Sequence, residues 1–279
     1  MTHDQSQFDR RTVLRTTAGI SLAGIAGCLN GSGSSDEMTS TNSDSDDQGI
    51  LRQVAVEATT LVIKLGSGSA VEQLNLIQPN GELFGTREVA TGVQRVSFEI
   101  GTAYDPGDYR VLAVHGDETV AETSLEIRPQ LEIVDVGLFR NNPDKPWDEI
   151  YGESETDTKK NGEAFVTVAN SGSGPEAVVE LRFEGDVPNP SENPRGSGIH
   201  DRDAVVIPPS DKLDLFSSSF PFGAEIGEQA MGCSVTNNHG QFRITLEVRT
   251  TSKDIESKFN VQYSGSDVMH DCRIEMAEE

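Results

Sequence analysis

Residues 242–249 read FRITLEVR, and the alternation within them decides the fold. Phe242, Ile244, Leu246 and Val248 fall on one side of an extended chain, and Arg243, Thr245, Glu247 and Arg249 fall on the other. That is the period of two expected of a strand buried on one face. Phe259, Val261 and Tyr263 repeat the scheme downstream, and Val96, Phe98 and Ile100 alternate with Ser97 and Glu99 upstream. From Arg52 onward the apolar residues are largely Val, Ile, Leu and Phe, bounded by Gly, Pro, Asn and Asp. The chain is therefore expected to be all-β.

Working outward, the first half predicts strands at 59–65, 71–77, 82–89, 93–100, 108–114 and 119–127. Asn80-Gly81 and Gly116-Asp117 supply the backbone freedom of tight hairpins. Residues 104–111, Tyr-Asp-Pro-Gly-Asp-Tyr-Arg-Val, resemble the turn and strand before the last hairpin of immunoglobulin-like domains, where a Tyr packs at the corner. Arg128-Pro129-Gln130 breaks the pattern, and a new run begins at Leu131. Residues 162–175, GEAFVTVANSGSGP, followed by Ala177 to Phe183, resemble the strand, Asn-Ser-Gly turn and strand of CARDB-like surface modules of archaea and bacteria. Together these resemblances imply two immunoglobulin-like antiparallel β-sandwich domains, 51–128 and 129–279. The second carries two long insertions, 140–161 and 185–203, and a tail after Tyr263.

The N-terminus reads as an address. Arg10-Arg11, Val13-Leu14 and Arg15 form a charged segment of the twin-arginine type, followed by a weakly apolar stretch too short to span a bilayer. It ends in Ile25-Ala26-Gly27-Cys28, which resembles the lipobox of bacterial and archaeal lipoproteins and implies a lipid on the Cys28 thiol. Residues 1–27 are thus expected to be a signal peptide. Stable anchoring would need a two-chain lipid on Cys28, so the expected location is the extracytoplasmic face of the cell membrane. Residues 28–50, rich in Ser, Thr, Gly and Asp, are expected to form a disordered tether, because they hold too little apolar surface to offset ordering entropy. Asn30-Gly31-Ser32 matches a glycosylation acceptor. Asn42, Asp44 and Asp46 are spaced like the start of a calcium loop without its turn Gly or closing Glu.

Charge narrows the partners. The 279 residues carry 22 Lys plus Arg against 46 Asp plus Glu, a net charge of −24, which excludes a basic face for nucleic acid. Arg (15) exceeds Lys (7), and the balance resembles proteins of salt-accumulating halophiles. In molar salt the Debye length is about 3 Å, so such charge is screened.

Three cysteines leave Cys233 and Cys272 once Cys28 carries lipid. Outside the cytoplasm a disulfide is the expected state of that pair. The alternative is a tetrahedral zinc set of Cys233, His239, His270 and Cys272, at spacings loose for a structural site. A blue-copper pattern is not met, since no Met follows Cys233 until Met269 and no His follows Cys272.

The sequence contains no G-x-S-x-G, H-E-x-x-H, P-loop or strand-linked G-x-G-x-x-G pattern, so no enzyme activity and no cofactor are expected. The candidate ligand loop is the first insertion. It has the only Trp, Trp147, with Tyr151, Asp148 and Glu149 beside it and further acids at Asp144, Glu153, Glu155 and Asp157. An aromatic among carboxylates would suit a sugar or a cation such as calcium. The competing reading is that Trp147 packs back on the sheet edge and the acids are solvated surface. The second insertion, with its prolines and His200-Asp201-Arg202-Asp203, is expected to run stiffly over the surface. The function expected is a lipid-anchored, non-catalytic surface module for binding, adhesion or assembly, meeting an unknown surface protein or glycan. The alternative is a ligand- or metal-binding accessory subunit of a surface transporter or enzyme.

Overall fold

The computed structural model describes residues 49–279 apart from 195, 225, 228, 235–237 and 267–270. Arg10, Arg11, Cys28, the calcium-like spacing at Asn42 and almost all of the expected tether lie outside the described residues, as does His270.

Strands β1 (Leu51–Glu57), β2 (Thr60–Leu65) and β5 (Arg95–Glu99) form one sheet in the order β1-β2-β5. Strands β3 (Gln73–Ile77), β4 (Leu83–Glu88), β6 (Gly107–His115) and β7 (Glu118–Ile127) form another, β4-β3-β6-β7. The same arrangement then recurs. Strands β8 (Leu131–Leu138), β9 (Ala164–Asn170) and β12 (Lys212–Phe216) pair as β12-β9-β8. Opposite lie β10 (Glu176–Gly185), β11 (Val205–Ile207), β13 (Asn238–Val248), β14 (Ile255–Gly265) and β15 (Cys272–Glu278), in the order β11-β10-β13-β14-β15. Every pairing is antiparallel.

Alternation builds the two cores. Leu61, Ile63, Val96 and Phe98 of one sheet meet Leu74, Leu76, Tyr109 and Val111 of its partner. In the second sandwich Val166, Val168 and Leu215 meet Leu181, Phe183, Phe242 and Ile244. Three strands facing four, with connections that cross between the sheets, is the immunoglobulin-like arrangement. Its tyrosine corner is present as well: the Tyr109 hydroxyl donates to the Asp105 carbonyl at 3.0 Å, ahead of its own strand. Gly116 (φ 56) and Gly81 (φ 87) take the positive φ that their hairpins need.

Four local expectations change. Strand β1 was not foreseen, because LRQVAVE lies at a sheet edge with every residue exposed or half-buried and so shows no clean alternation. Thr245 is buried rather than outward, covered by Glu184, whose carboxylate accepts its hydroxyl at 3.1 Å. The chain after Tyr263 is a regular strand, β15, hydrogen-bonded along β14. The second insertion runs over the surface only in part: Glu192, Asn193 and Asp201 to Asp203 are exposed, but Val187, Ser197 and Ile199 are buried, two of them in the main core.

Between the sandwiches the Asn170-Ser171-Gly172-Ser173-Gly174 turn closes on the Arg128-Pro129-Gln130 linker. The Ser173 and Gly174 N–H groups both donate to the Arg128 carbonyl (2.9 and 3.0 Å), and the Gln130 N–H donates to Asn170 Oδ1 (3.1 Å). The Tyr104 hydroxyl donates to the Pro175 carbonyl at 3.1 Å, and Thr250 Oγ1 to the Thr102 carbonyl at 3.0 Å. The approach is close enough to require glycine: a Cβ on Gly172 would lie 2.3 Å from the Arg128 carbonyl oxygen, and one on Gly174 would lie 2.1 Å from Tyr104 Oη.

Candidate functional site

At the pole of the second sandwich away from this junction, three long connections emerge together: 139–163 between β8 and β9, 186–204 between β10 and β11, and 217–237 between β12 and β13. The first two are the insertions seen in the sequence. The third was not singled out, although its Gly and Ser content marked a long loop.

In the first connection a 3-10 turn, Phe139–Asn141, leads to two short helices, α1 (Trp147–Tyr151) and α2 (Asp157–Lys160). Asp148 and Glu149 sit in the first turn of α1, where acids complement exposed N–H groups, and Gly152 at φ 97 ends it. Trp147 is 2% exposed. Its ring lies 5.1 Å from Phe216 and 5.6 Å from Phe139, edge to face in both cases, and stacks on Tyr151 at 6.0 Å. Its indole N–H donates to the Asn142 carbonyl at 2.7 Å. So placed, Trp147 anchors the loop to the sheet and offers no face for a sugar. Asp148 pairs with the ammonium of buried Lys160, itself 5.7 Å over the Phe139 ring. Glu149 is exposed. The named candidates therefore share one loop but do not line a common pocket.

Tyr151 instead ties the loops to one another. Its hydroxyl donates to the Ser217 carbonyl at 2.7 Å, and its ring meets the His200 ring at 4.4 Å. Around it, the His200 N–H donates to the Phe216 carbonyl (2.8 Å), Ser218 N–H to Gly198 (2.8 Å), Phe222 N–H to Gly162 (3.1 Å) and Asn189 N–H to Pro221 (3.0 Å). The third connection is thus hydrogen-bonded to the other two, and the first meets the second through the Tyr151–His200 ring contact. Cys233 and Cys272 are joined as a disulfide with Cα atoms 5.2 Å apart, which fastens the third connection to β15. That bond removes the zinc alternative, because both thiols are consumed. His239 lies in β13 opposite Gln262, and among the described residues no group of three potential ligands is suited to a metal.

Beneath the loops lies a residue that the sequence reading missed. Glu163 is 3% exposed, and burial pushes its carboxyl up to about 7 against opposing hydrogen bonds from Ser217 and Tyr151. Ser217 Oγ approaches Glu163 Oε2 at 3.0 Å and accepts the Ala164 N–H at 3.0 Å. The one available signal was position: Glu163 stands immediately before Ala164-Phe165-Val166, an apolar stretch beside which an acid is out of place. Ser217 is fully buried and is held by a carboxyl rather than an imidazole, so this group is built as an internal fastening and not as a nucleophile and base.

A groove of about 610 Å³ lies along the edge between β8 and β15, lined in part by Val136, Arg140, Ile274 and Met276. Arg140 Nη1 donates to the Cys272 carbonyl (2.5 Å) and Asn141 Nδ2 to the Ile274 carbonyl (3.2 Å). These side chains occupy backbone acceptors that an added strand would use.

No protein-family model matches the chain, and no curated protein matches it. Among solved structures it is similar to a glycosyl hydrolase family 2 member from Bacteroides cellulosilyticus (16% identity, 72% of this chain and 24% of that one, TM-score 0.20). It is also similar to the BSP domain of a biofilm associated protein (14%, 73% and 27%, 0.24). A two-domain fibronectin type-III segment from chicken tenascin aligns at 10% identity over 81% of this chain and 97% of that one, with a TM-score of 0.26. The chain spans about a quarter of the hydrolase. At these scores the likenesses carry no argument about activity.

Proposed function

We propose that the protein is a surface module that binds, adheres or assembles without catalysis, held outside the cell by a lipid on Cys28 and contacting its partner through the loop cap of the second sandwich. The observation that supports this reading is the convergence of three long connections on the pole left free by the first sandwich, since loops set on a rigid scaffold are where recognition concentrates. Phe220 and Ile226, 42% and 61% exposed on the third connection, are its apolar tips. The Arg10-Arg11 and Cys28 patterns support export and anchoring, the acidity supports a salt-accumulating source, and the Asn-Ser-Gly turn supports kinship with CARDB-like modules.

The test compares cells carrying the full chain with cells carrying Phe220→Ser and Ile226→Ser, scored for adhesion to one another and to a glycan-coated surface in molar KCl. Loss of adhesion in the double variant, with Trp147 fluorescence unchanged, is the expected result; equal adhesion overturns the assignment of the cap. Intact mass from membranes reports the anchor, and a chain unprocessed at Cys28 removes it. The unfolding midpoint is expected to rise with KCl into the molar range, and a flat curve removes the halophile reading.

A further inference from the structure

The fastening under the cap is short of hydrogens. Tyr151 Oη donates to the Ser217 carbonyl at 2.7 Å. Ser217 Oγ faces Glu163 Oε2 at 3.0 Å and the Ser219 carbonyl at 3.0 Å. Each hydroxyl has one hydrogen to give, while carbonyls and a carboxylate have none. With Glu163 ionised, two hydrogens serve three oxygen–oxygen contacts, so lone pairs face each other in one of the two that Ser217 Oγ makes. A proton on Glu163 supplies the third: it is donated to Ser217 Oγ, which frees that hydroxyl to serve the Ser219 carbonyl. The protonated carboxyl is also the form that tolerates burial.

We propose that Glu163 is a proton-operated latch on the loop cap: protonated, it completes the Tyr151–Ser217 fastening that holds the three connections together, and ionised, it loosens them. Its neighbours do not cancel the effect. From the first connection Glu155 faces it with like charge, although Glu155 is itself paired with Lys159 at 3.6 Å. Lys160 is engaged by Asp148. From the third connection Ser217 presents only a neutral hydroxyl. From the second, His200 contacts the far partner, Tyr151. No cation is recorded against the carboxyl among the described residues, and ionisation is therefore left uncompensated by charge.

The sign follows from linkage. A carboxyl raised in the folded state favours folding in acid: its penalty is present in full above about 7, shrinks as pH falls, and is gone below the ordinary carboxylate range. The latch concerns how firmly the cap is held and stands whether or not the cap binds a partner.

Hydrogen exchange of the full chain between pH 5.5 and 8.5, corrected for the intrinsic pH dependence of exchange, tests it. Protection at Ala164, Ser217, Ser218 and Phe222 is expected to fall about tenfold across neutral pH, while protection at Val111 and Ala113 in the first sandwich stays level. Glu163→Gln, a mimic of the protonated form, is expected to keep the cap protected at every pH. Tyr151→Phe removes the bond to the Ser217 carbonyl and is expected to lower cap protection without abolishing its fall with pH. Wild-type cap protection that does not change with pH, or a Glu163→Gln chain that still responds as the wild type does, overturns the proposal. If Glu163→Gln fails to fold, direct titration of the wild-type Glu163 carboxyl carbon by NMR decides: a midpoint in the ordinary carboxylate range overturns it.

Discussion

The two sandwiches share one strand order and differ in what they do with the same pole. In the first, the connections between its first and second, third and fourth, and fifth and sixth strands are 58–59, 78–82 and 100–106. In the second they are 139–163, 186–204 and 217–237. The short set lies where the first sandwich meets the second, with Thr102 and Tyr104 in the contact. The long set lies where nothing among the described residues abuts it. Loop length thus follows from occupancy: a pole that must dock another domain stays trimmed, and a free pole can grow loops at little cost, since closure entropy rises only slowly with length. Growth brings its own requirements. The second sandwich has an aromatic anchor, a disulfide and an extra strand that the first does without.

The sharpest way to break this comparison is to remove the anchor. Trp147→Ala leaves a large void among Phe139, Phe165 and Phe216 and is expected to destabilise the second sandwich by about 3–5 kcal/mol. Calorimetry should resolve a lowered transition for that sandwich, with the first unchanged; a single shift shared by both would show that they unfold as one unit. Replacing both Cys233 and Cys272 by Ala is expected to cost about 4 kcal/mol on the chain-entropy model, read by urea unfolding of oxidised and variant chains followed at Trp147, the only Trp. Gly174→Ala drives a Cβ into Tyr104 and Ile127. An overpacking cost of about 1–3 kcal/mol is expected to part the sandwiches and raise the radius of gyration in solution scattering. The smallest effect belongs to the first sandwich. Tyr109→Phe removes one hydrogen bond at the corner and is expected to lower stability by about 1 kcal/mol, without any change in Trp147 fluorescence.

Much of the fold was legible because alternation is local. Phe242, Ile244, Leu246 and Val248 announce a buried face within a single strand, and all four are buried. Strand β1 escaped because an edge strand buries no clean face. Thr245 misled because its cover, Glu184, comes from the neighbouring strand, which parity along one strand cannot reveal. The site was less legible for a related reason. Trp147 and Tyr151 stood out by type, but whether an aromatic faces solvent or sheet depends on Phe165 and Phe216, which are distant in sequence. Glu163 was hidden among 46 acids, and its character comes from Tyr151 and Ser217 on either side of it in sequence. The meeting of three connections at one pole follows from strand order, and strand order is not written in any one segment.

The disulfide between Cys233 and Cys272 encloses β13, β14 and the turn between them in a covalent ring. A protease that cuts the backbone anywhere from 234 to 271 therefore opens the ring without releasing a fragment, and both new ends remain attached. Such a nicked chain would run as one species on a non-reducing gel and as two once reduced. Exposed loop tips are the preferred sites of such clipping, and the second sandwich can be cut within this ring and still keep β15 covalently attached.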